Sequence, residues 1–333
     1  MANVREVARR ANVSVATVSR VLNNSSRVRE DTKKVVLTAI EELEYISPRQ
    51  HKEDKEIRPI KILALLPDVE NPFYSAIAEG ICDMARKKNC MVLLCTTASQ
   101  YENEQKFLQM LSLNLADGAI LCSSVMDREE LRELNQKYPL IQCCEYKEKL
   151  ECVPHISVDN YAAGYDAVQH LINVGHKKIA MISCNNGFLS TRERENAYKD
   201  VLQKNNIEFK NEYVARAGTD YGFRSGMRAM NQLLNLPDAP TAVFVISDIM
   251  AIGAIQAVIK AGMSVPEDVA IIGFDDLEIA SNYNPPLSTV YQPKKDMGRL
   301  AIELLIDRIC TEDDVIGSQF LEHEVRIRQS TVK

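Results

Sequence analysis

The sequence predicts two folds in one chain: a small all-α head containing a helix-turn-helix, and an α/β body of parallel sheets set in two lobes. Three observations predict it. Residues 1–47 are too few for an α/β unit and carry only helical periodicity. From residue 60 onward, short apolar runs alternate with helical stretches, the pattern of a parallel sheet covered by helices on both faces. Charge also changes sign along the chain: 12 basic against 9 acidic side chains up to Arg58 make a head of +3, and the remaining residues carry −9.

In the head, Val4, Val7, Ala8 and Ala11 fall at i, i+3, i+4 and i+7, with Asn3 as N-cap and Glu6 as its partner, so a first helix starts here. Ala11-Asn12-Val13 is a tight connection. Ser14 then caps a second helix whose apolar stripe is Val18, Val21 and Leu22 and which ends at Asn23-Asn24. A third helix runs from about Glu30 to Glu44, with Val36, Ala39, Ile40 and Leu43 on one face and two acids in its first turn, where the helix dipole favours anions. A second helix set by a three-residue turn suits the major groove of DNA, its N-terminal residues at the base edges. In that placement Val15, Ala16 and Thr17 face bases, the apolar ones against thymine methyls, and Arg20 reaches guanine or a phosphate. Arg5, Arg9, Arg10, Arg27, Arg29, Lys33 and Lys34 supply electrostatic footing. A charge of +3 is modest, so a small protein-binding bundle stands as the other reading of these residues. From Lys52 to Arg58 only Ile57 is apolar and Pro59 follows, which places a linker over 48–59.

In the body, a first series pairs apolar runs 60–66, 91–95 and 118–122 with helices 72–88, 102–115 and 128–137. A second series follows a strand at 156–158: strands 178–183, 213–217, 242–246 and 269–274, with helices 161–174, 191–204, 222–234 and 248–261 between them. So many units exceed one comfortable open sheet, hence two lobes over 60–333. Ligands of such folds sit at the carboxyl ends of the strands, so the cleft between lobes is the expected site.

Composition excludes several classes. With 333 residues and 46% hydrophobic content the chain buries a sizeable core without disulfides. No apolar run approaches the roughly 18 residues that span a bilayer, and the N-terminus continues into charge rather than an apolar signal segment, so the expected location is cytoplasmic and off the membrane. The nine cysteines lie mostly in apolar runs without a C-x-x-C pair and read as buried thiols rather than zinc ligands or disulfides; no cofactor or metal is expected. There is no G-x-G-x-x-G after a strand, no P-loop, no G-x-S-x-G, and His323-Glu324 lacks the second His of a zinc protease, so an enzyme is not expected.

The run Val4-Arg5-Glu6-Val7-Ala8-Arg9-Arg10-Ala11-Asn12-Val13-Ser14-Val15-Ala16-Thr17-Val18-Ser19-Arg20-Val21-Leu22-Asn23 resembles the headpiece of the lactose-repressor (LacI/GalR) family of bacterial transcription regulators. The likeness continues in the body at Pro72-Phe73-Tyr74, Val158-Asp159-Asn160, Gly175-His176, Ser247 to Ala254, Val265 to Val269 and Gly273-Phe274-Asp275-Asp276, covering in effect the whole chain. It implies a periplasmic-binding-protein-like body, a homodimer on an inverted-repeat operator, and a small-molecule effector between the lobes. Among the DNA contacts it implies Ser14, Ser19, Asn23 and Arg27 beside Val15, Ala16, Thr17 and Arg20. No heptad tail follows Val325-Arg326-Ile327-Arg328, so a dimer rather than a tetramer is expected.

One stretch departs from the family. Members commonly carry a hinge helix whose leucine wedges into the minor groove; here that place is held by Asp54. A carboxylate cannot enter a base stack without losing its hydration beside phosphates, so wedge-driven kinking is not expected. Arg49 and Lys52 remain to hold phosphates. Coupling between effector and DNA should be weaker, or half-site spacing more variable, than in members with the leucine.

In the cleft, Asn71, Phe73 and Tyr74 follow the first body strand and open a helix, where they either face the ligand or staple that helix to its sheet. Asp275 follows an apolar strand and suits sugar hydroxyls, with helix capping as the other reading, which fits Asp276 better. Arg194 matches a ligand-binding arginine of the family; on sequence alone it is equally a solvated helix residue. Tyr221 matches a stacking aromatic, and Asp159 and Ser247 are further lining positions. An additional arginine of the purine repressor falls on Phe188, which argues against a bare purine. One arginine, one aspartate and several aromatics suit a sugar- or nucleoside-like effector. The alternative is control by a protein docking on the body, to be sought on the helix Asp296–Arg308.

Overall fold

The computed structural model describes residues 4–22, 30–43, 58–219, 221–311 and 317–332. The chain divides into two compact units, Met1–Ile60 and Lys61–Lys333.

The first unit holds α1 (Val4–Arg10), α2 (Val15–Leu22) and α3 (Glu30–Glu42). Their shared core is Val7, Ala8, Ala11, Val18, Val21, Val36 and Ala39, the positions the 3.6-residue period selects. The connection between α1 and α2 turns at Asn12, whose φ of 50° is a left-handed value that asparagine tolerates better than most residues. Ser14 caps α2, its Oγ accepting from the Thr17 amide at 3.1 Å. The third helix ends at Glu42, slightly short of the expected Glu44, and the expected cap Asn3 lies outside the described residues.

The second unit contains β1 (Lys61–Leu66), α4 (Pro72–Lys87), β2 (Met91–Thr96), α5 (Tyr101–Ser112), β3 (Gly118–Cys122), α6 (Arg128–Asn135), β4 (Leu140–Cys143) and β5 (His155–Val158). It continues through α7 (Asn160–Asn173), β6 (Ile179–Ser183), α8 (Leu189–Lys204), β7 (Val214–Arg216), α9 (Phe223–Leu234), β8 (Ala242–Val245), α10 (Asp248–Lys260) and β9 (Ala270–Ile272). Last come α11 (Glu278–Asn282), β10 (Thr289–Tyr291), α12 (Lys294–Cys310), β11 (Gln319–Leu321) and β12 (Glu324–Arg326). One sheet has the order β11-β5-β4-β3-β1-β2 and a second β7-β6-β8-β9, both parallel, while β10 and β12 form an antiparallel pair. Strands β3, β6 and β8 are buried along their whole length, as the unbroken apolar runs require of central parallel strands.

The strand near 156–158, after which the second series begins, is β5, which lies between β4 and β11 in the first sheet. Strand β4 itself was not anticipated. The chain therefore passes between lobes three times, after β5, after β10 and after β11. Each lobe clamps a helix pair at glycines. A Cβ on Gly80 of α4 would meet the Lys295 carbonyl oxygen of α12 at 2.1 Å, and one on Gly226 of α9 the Met250 carbonyl oxygen of α10 at 2.1 Å. Among the described residues no helix is long and apolar enough to cross a membrane.

Candidate functional site

The lobes leave an outer cavity of about 820 Å³, in the size range of small-molecule sites, lined by residues that include Asp68, Asn71, Tyr74, Asn186, Phe188 and Tyr221. Adjoining it is a recess of about 30 Å³ that shares Asn71, Tyr74 and Tyr221 with it. Asn71, Phe73, Tyr74, Ser123, Cys144 and Glu145 line the recess from the first lobe. Asn160, Ser190, Arg194, Tyr221, Ile246, Ser247, Asp275 and Gln292 line it from the second lobe and its crossover. Seven of the eight expected cleft residues thus come together, from segments up to two hundred residues apart.

Asp159 is the exception. It is exposed and caps α7, accepting from the Ala162 amide at 2.8 Å, while its neighbour Asn160 faces the recess. Successive helical residues point about 100° apart, so a cap and the residue after it do not share a face.

Arg194 is buried and held on three sides. Its Nε and one terminal nitrogen donate to Asn160 Oδ1 at 3.1 and 2.7 Å, and the other terminal nitrogen donates to the Ile246 carbonyl at 2.7 Å. Its guanidinium lies 3.5 Å from the centre of the Phe274 ring. A guanidinium has five N–H groups, so these bonds orient the fork and leave two donors for a ligand. Asp275, with φ of 122°, accepts from Gln292 Nε2 at 2.8 Å through Oδ1 and from Lys294 Nζ through its carbonyl oxygen. A non-glycine residue at this φ is strained, and such strain concentrates where a side chain must be aimed. Burial pushes the Asp275 carboxyl up to about 6, against the pull of Arg194 and Lys294. Asp276 does not cap the following helix, and neither does Asp275. Asp276 pairs with Arg326 at 2.5 Å and Arg328 at 2.6 Å, and the Leu277 amide is taken by buried Asp248 at 2.8 Å.

On the first-lobe wall, Asn71 caps α4, accepting from the Phe73 amide at 3.0 Å, which sets the two rings of Phe73 and Tyr74 edge to face. The staple and lining readings of these rings are compatible: both are buried, both border the recess, and the Tyr74 hydroxyl bonds Ser123 Oγ at 3.0 Å. Tyr221 receives Asn186 Nδ2 at 2.8 Å and meets Thr191 Oγ1 at 3.1 Å; burial pushes its hydroxyl up to about 12. Ser247 caps α10, accepting from the Met250 amide at 3.4 Å.

Glu145 was not anticipated. It follows β4 in the first lobe and reaches the first turn of α8 in the second, accepting from the Ser190 amide at 3.2 Å and from the Ser190 hydroxyl. Burial pushes it up to about 7. Beside it, Arg192 pairs with Glu148 across the same junction on the outside. Asn160, Ser190 and Gln292 were also missed. No periodic signal marks them, since each sits at a helix start or a crossover. The helix proposed for protein docking, α12, has Arg299 paired with Asp83 and Asp296, both at 3.0 Å, and Arg308 donating to Asn135 and the Leu140 carbonyl.

In the head, Val15 is exposed at the start of α2. Thr17 is half-buried, its hydroxyl 2.9 Å from Ser14 Oγ. Arg10 pairs with Glu42 at 2.5 Å, an exposed ion pair. Ala16, Ser19 and Arg20 fall within α2, but their side chains lie outside the described residues, as do Asn23, Arg27, Arg49 and the Asp54 stretch altogether.

Two family models match the chain: bacterial regulatory proteins of the lacI family over residues 3–47, and the periplasmic binding protein-like domain over residues 168–331. The HTH-type transcriptional repressor CytR of Escherichia coli (strain K12) is 35% identical over 331 residues, 99% of this chain and 96% of that protein. The transcriptional regulator CelR in complex with cellobiose matches with a TM-score of 0.74 at 29% identity, covering 99% of this chain and 100% of the other. The lac repressor dimer bound to operator and the anti-inducer ONPF matches with a TM-score of 0.75 at 26% identity, covering 100% and 99%. With likeness of this order along both chains, and a three-helix head and a two-lobed body each where the family has them, the chain belongs to the LacI family of bacterial regulatory proteins and is a DNA-binding transcription regulator, not an enzyme.

Proposed function

We propose that this regulator is a repressor that works as a homodimer on an inverted-repeat operator, and that a small sugar- or nucleoside-like effector in the cleft between the lobes sets its grip on DNA. The observation that carries the effector reading is the Arg194–Asp275 pair. A guanidinium with two uncommitted donors and a carboxylate both line the recess with Tyr74 and Tyr221, and that combination suits a ligand with vicinal hydroxyls and a ring face. Cellobiose in CelR, a solved relative, is a ligand of this class. The lac repressor dimer on its operator supports the dimer and the DNA partner. So does the edge strand β2, which exposes Met91 and Leu94 at a sheet edge that a second copy would cover.

The effector acts by population shift: it binds one arrangement of the lobes better than another and thereby changes how two heads fit a palindrome. In the head, the residues proposed at the DNA are Ser14, Val15, Ala16, Thr17, Ser19, Arg20, Asn23 and Arg27, with Arg49 on phosphate. Control through a protein docking on α12 gains no comparable support, because Arg299 and Arg308 are bonded within the chain.

Selection of binding sites by the purified protein from fragmented source DNA tests this, followed by titration of pentoses, disaccharides and nucleosides against the selected site. An inverted repeat is expected, released or tightened by one of these classes. Recovery of no motif, with and without those ligands, would remove the reading. Thr17→Ala should change the preferred bases, whereas Lys34→Ala should weaken all DNA alike and reduce the salt slope by about 1.

A further inference from the structure

Cys122, Cys143 and Cys144 place their three Sγ atoms within 4.8 Å of one another, all buried. The backbone builds this cluster in two steps. Cys122 and Cys143 end the adjacent parallel strands β3 and β4 as register partners, which puts their side chains on one face. Cys144 would ordinarily point to the opposite face, since side chains alternate along a strand. Its φ of 62° breaks that alternation and brings the third thiol back to the other two. This turn is held firmly: the Cys144 amide donates to the Ile156 carbonyl at 2.8 Å, and the Cys144 carbonyl accepts from Ser157 Oγ at 2.8 Å. Cys144 also borders the recess, so the cluster has a route to solvent.

We propose that Cys122, Cys143 and Cys144 form a three-thiolate site for a soft trivalent metalloid, of the chemistry of arsenite, loaded from the recess past Cys144. The donor number selects the class. Among the described residues no fourth Cys, His or carboxylate joins the group, which disfavours four-coordinate zinc. Thiolates about 2.3 Å from a central atom stand about 4 Å or less apart, close to the spacing already present. Charge selects within the class. Three thiolates around a trivalent centre give a neutral complex, whereas around a monovalent copper ion they leave a net charge that is costly to bury. The reaction is ligand exchange without oxidation or reduction: three S–H bonds and three As–O bonds break, three As–S bonds form, and three waters leave. The product would lock the wall that carries Tyr74 and Ser123, giving the body an input chemically unrelated to its effector.

The test uses reduced full-length protein and sodium arsenite. Native mass spectrometry should show one arsenic per chain, X-ray absorption should show three sulfur neighbours and no oxygen, and the Tm should rise with arsenite concentration. Cys144→Ser, at the edge of the recess, should lose affinity by about 100-fold or more, while Cys152→Ser and Cys310→Ser retain it. Should Cys144→Ser fail to fold, the sulfur count on the unsubstituted protein decides alone. Fewer than three sulfurs, loss of binding with Cys152 or Cys310, or no uptake at all would overturn the proposal. Neither DNA nor effector enters these readouts, so their outcome is independent of the regulator's ligand.

Discussion

On the second-lobe side of the recess, Arg194 gives three hydrogen bonds and lies over Phe274, and Asp275 is aimed by a strained backbone and Gln292. On the first-lobe side, Tyr74 makes one bond to Ser123, and the lining carboxyl Glu145 is spent on Ser190 of the facing lobe. The difference teaches which wall is prearranged. The second holds fixed charge whose desolvation has already been met by neighbouring dipoles, so a ligand's hydroxyls find partners without rearrangement. The first offers aromatic surface and one junction bond that a ligand entering between the lobes would compete for.

Arg194→Ala should have the largest effect. It removes the ligand's donors and strands Asn160 and the Ile246 carbonyl in a buried place, so effector affinity should fall by about 100-fold or more, with about 2–4 kcal/mol of body stability lost. Calorimetric titration and urea unfolding read the two effects; unchanged effector affinity would show that the second wall is structural. Asp275→Asn keeps the shape and should weaken a polyhydroxylated effector by about 10- to 100-fold, with the pH dependence of binding flattened.

That pH dependence has a defined sign. An ionised Asp275 accepts hydroxyls best, and its carboxyl stands at about 6, so effector affinity should rise as pH climbs through 6 and level off above 7. Stability runs the other way. Asp275 at about 6 and Glu145 at about 7 both lie above their unfolded values, so their folded forms hold protons longer, and the stability this confers is lost as pH rises through 6 and 7. A scan from pH 5 to 8 should therefore show Tm falling by several degrees, on the order expected for a loss of about 4 kcal/mol. In Glu145→Gln, which keeps the acceptor for Ser190 without the buried charge, the fall should be smaller, and a fall as large as in the unsubstituted protein would remove Glu145 as a titrating group in this range.

The smallest effect is expected of Tyr74→Phe. It gives up one bond to Ser123 while retaining the ring, at about 1 kcal/mol of stability and a fewfold change in effector affinity. A larger loss than that of Arg194→Ala would invert the order of the two walls.

Much of this arrangement is legible in the residues alone. The helices of the head and their core follow from the 3.6-residue spacing of Val7, Ala8, Ala11, Val18 and Val21, and the buried central strands follow from unbroken apolar runs. The cleft positions Asn71, Phe73, Tyr74, Ser247 and Asp275 are marked by where they stand at strand ends and helix starts. Arg194 and Tyr221 are not marked by any pattern of their own and were found through likeness to the family. Asp159 and Asn160 show the limit of that likeness: a shift of one residue at a helix cap exchanges an exposed side chain for a recess one. Glu145, Ser190 and Gln292 carry no local signal at all, because each is defined by what approaches it from another lobe or crossover.

By itself the sequence determined the element types, the division into head and body, and the strand-end placement of the candidate site, since each rests on local periodicity, charge or turn chemistry. Only the tertiary structure decided that β5 and β11 belong to the first sheet, that Glu145 meets Ser190, and that three cysteines share one pocket. Those outcomes depend on contacts between residues far apart in the chain, where pairing is chosen by packing and by the need to satisfy buried polar groups rather than by any neighbour in sequence.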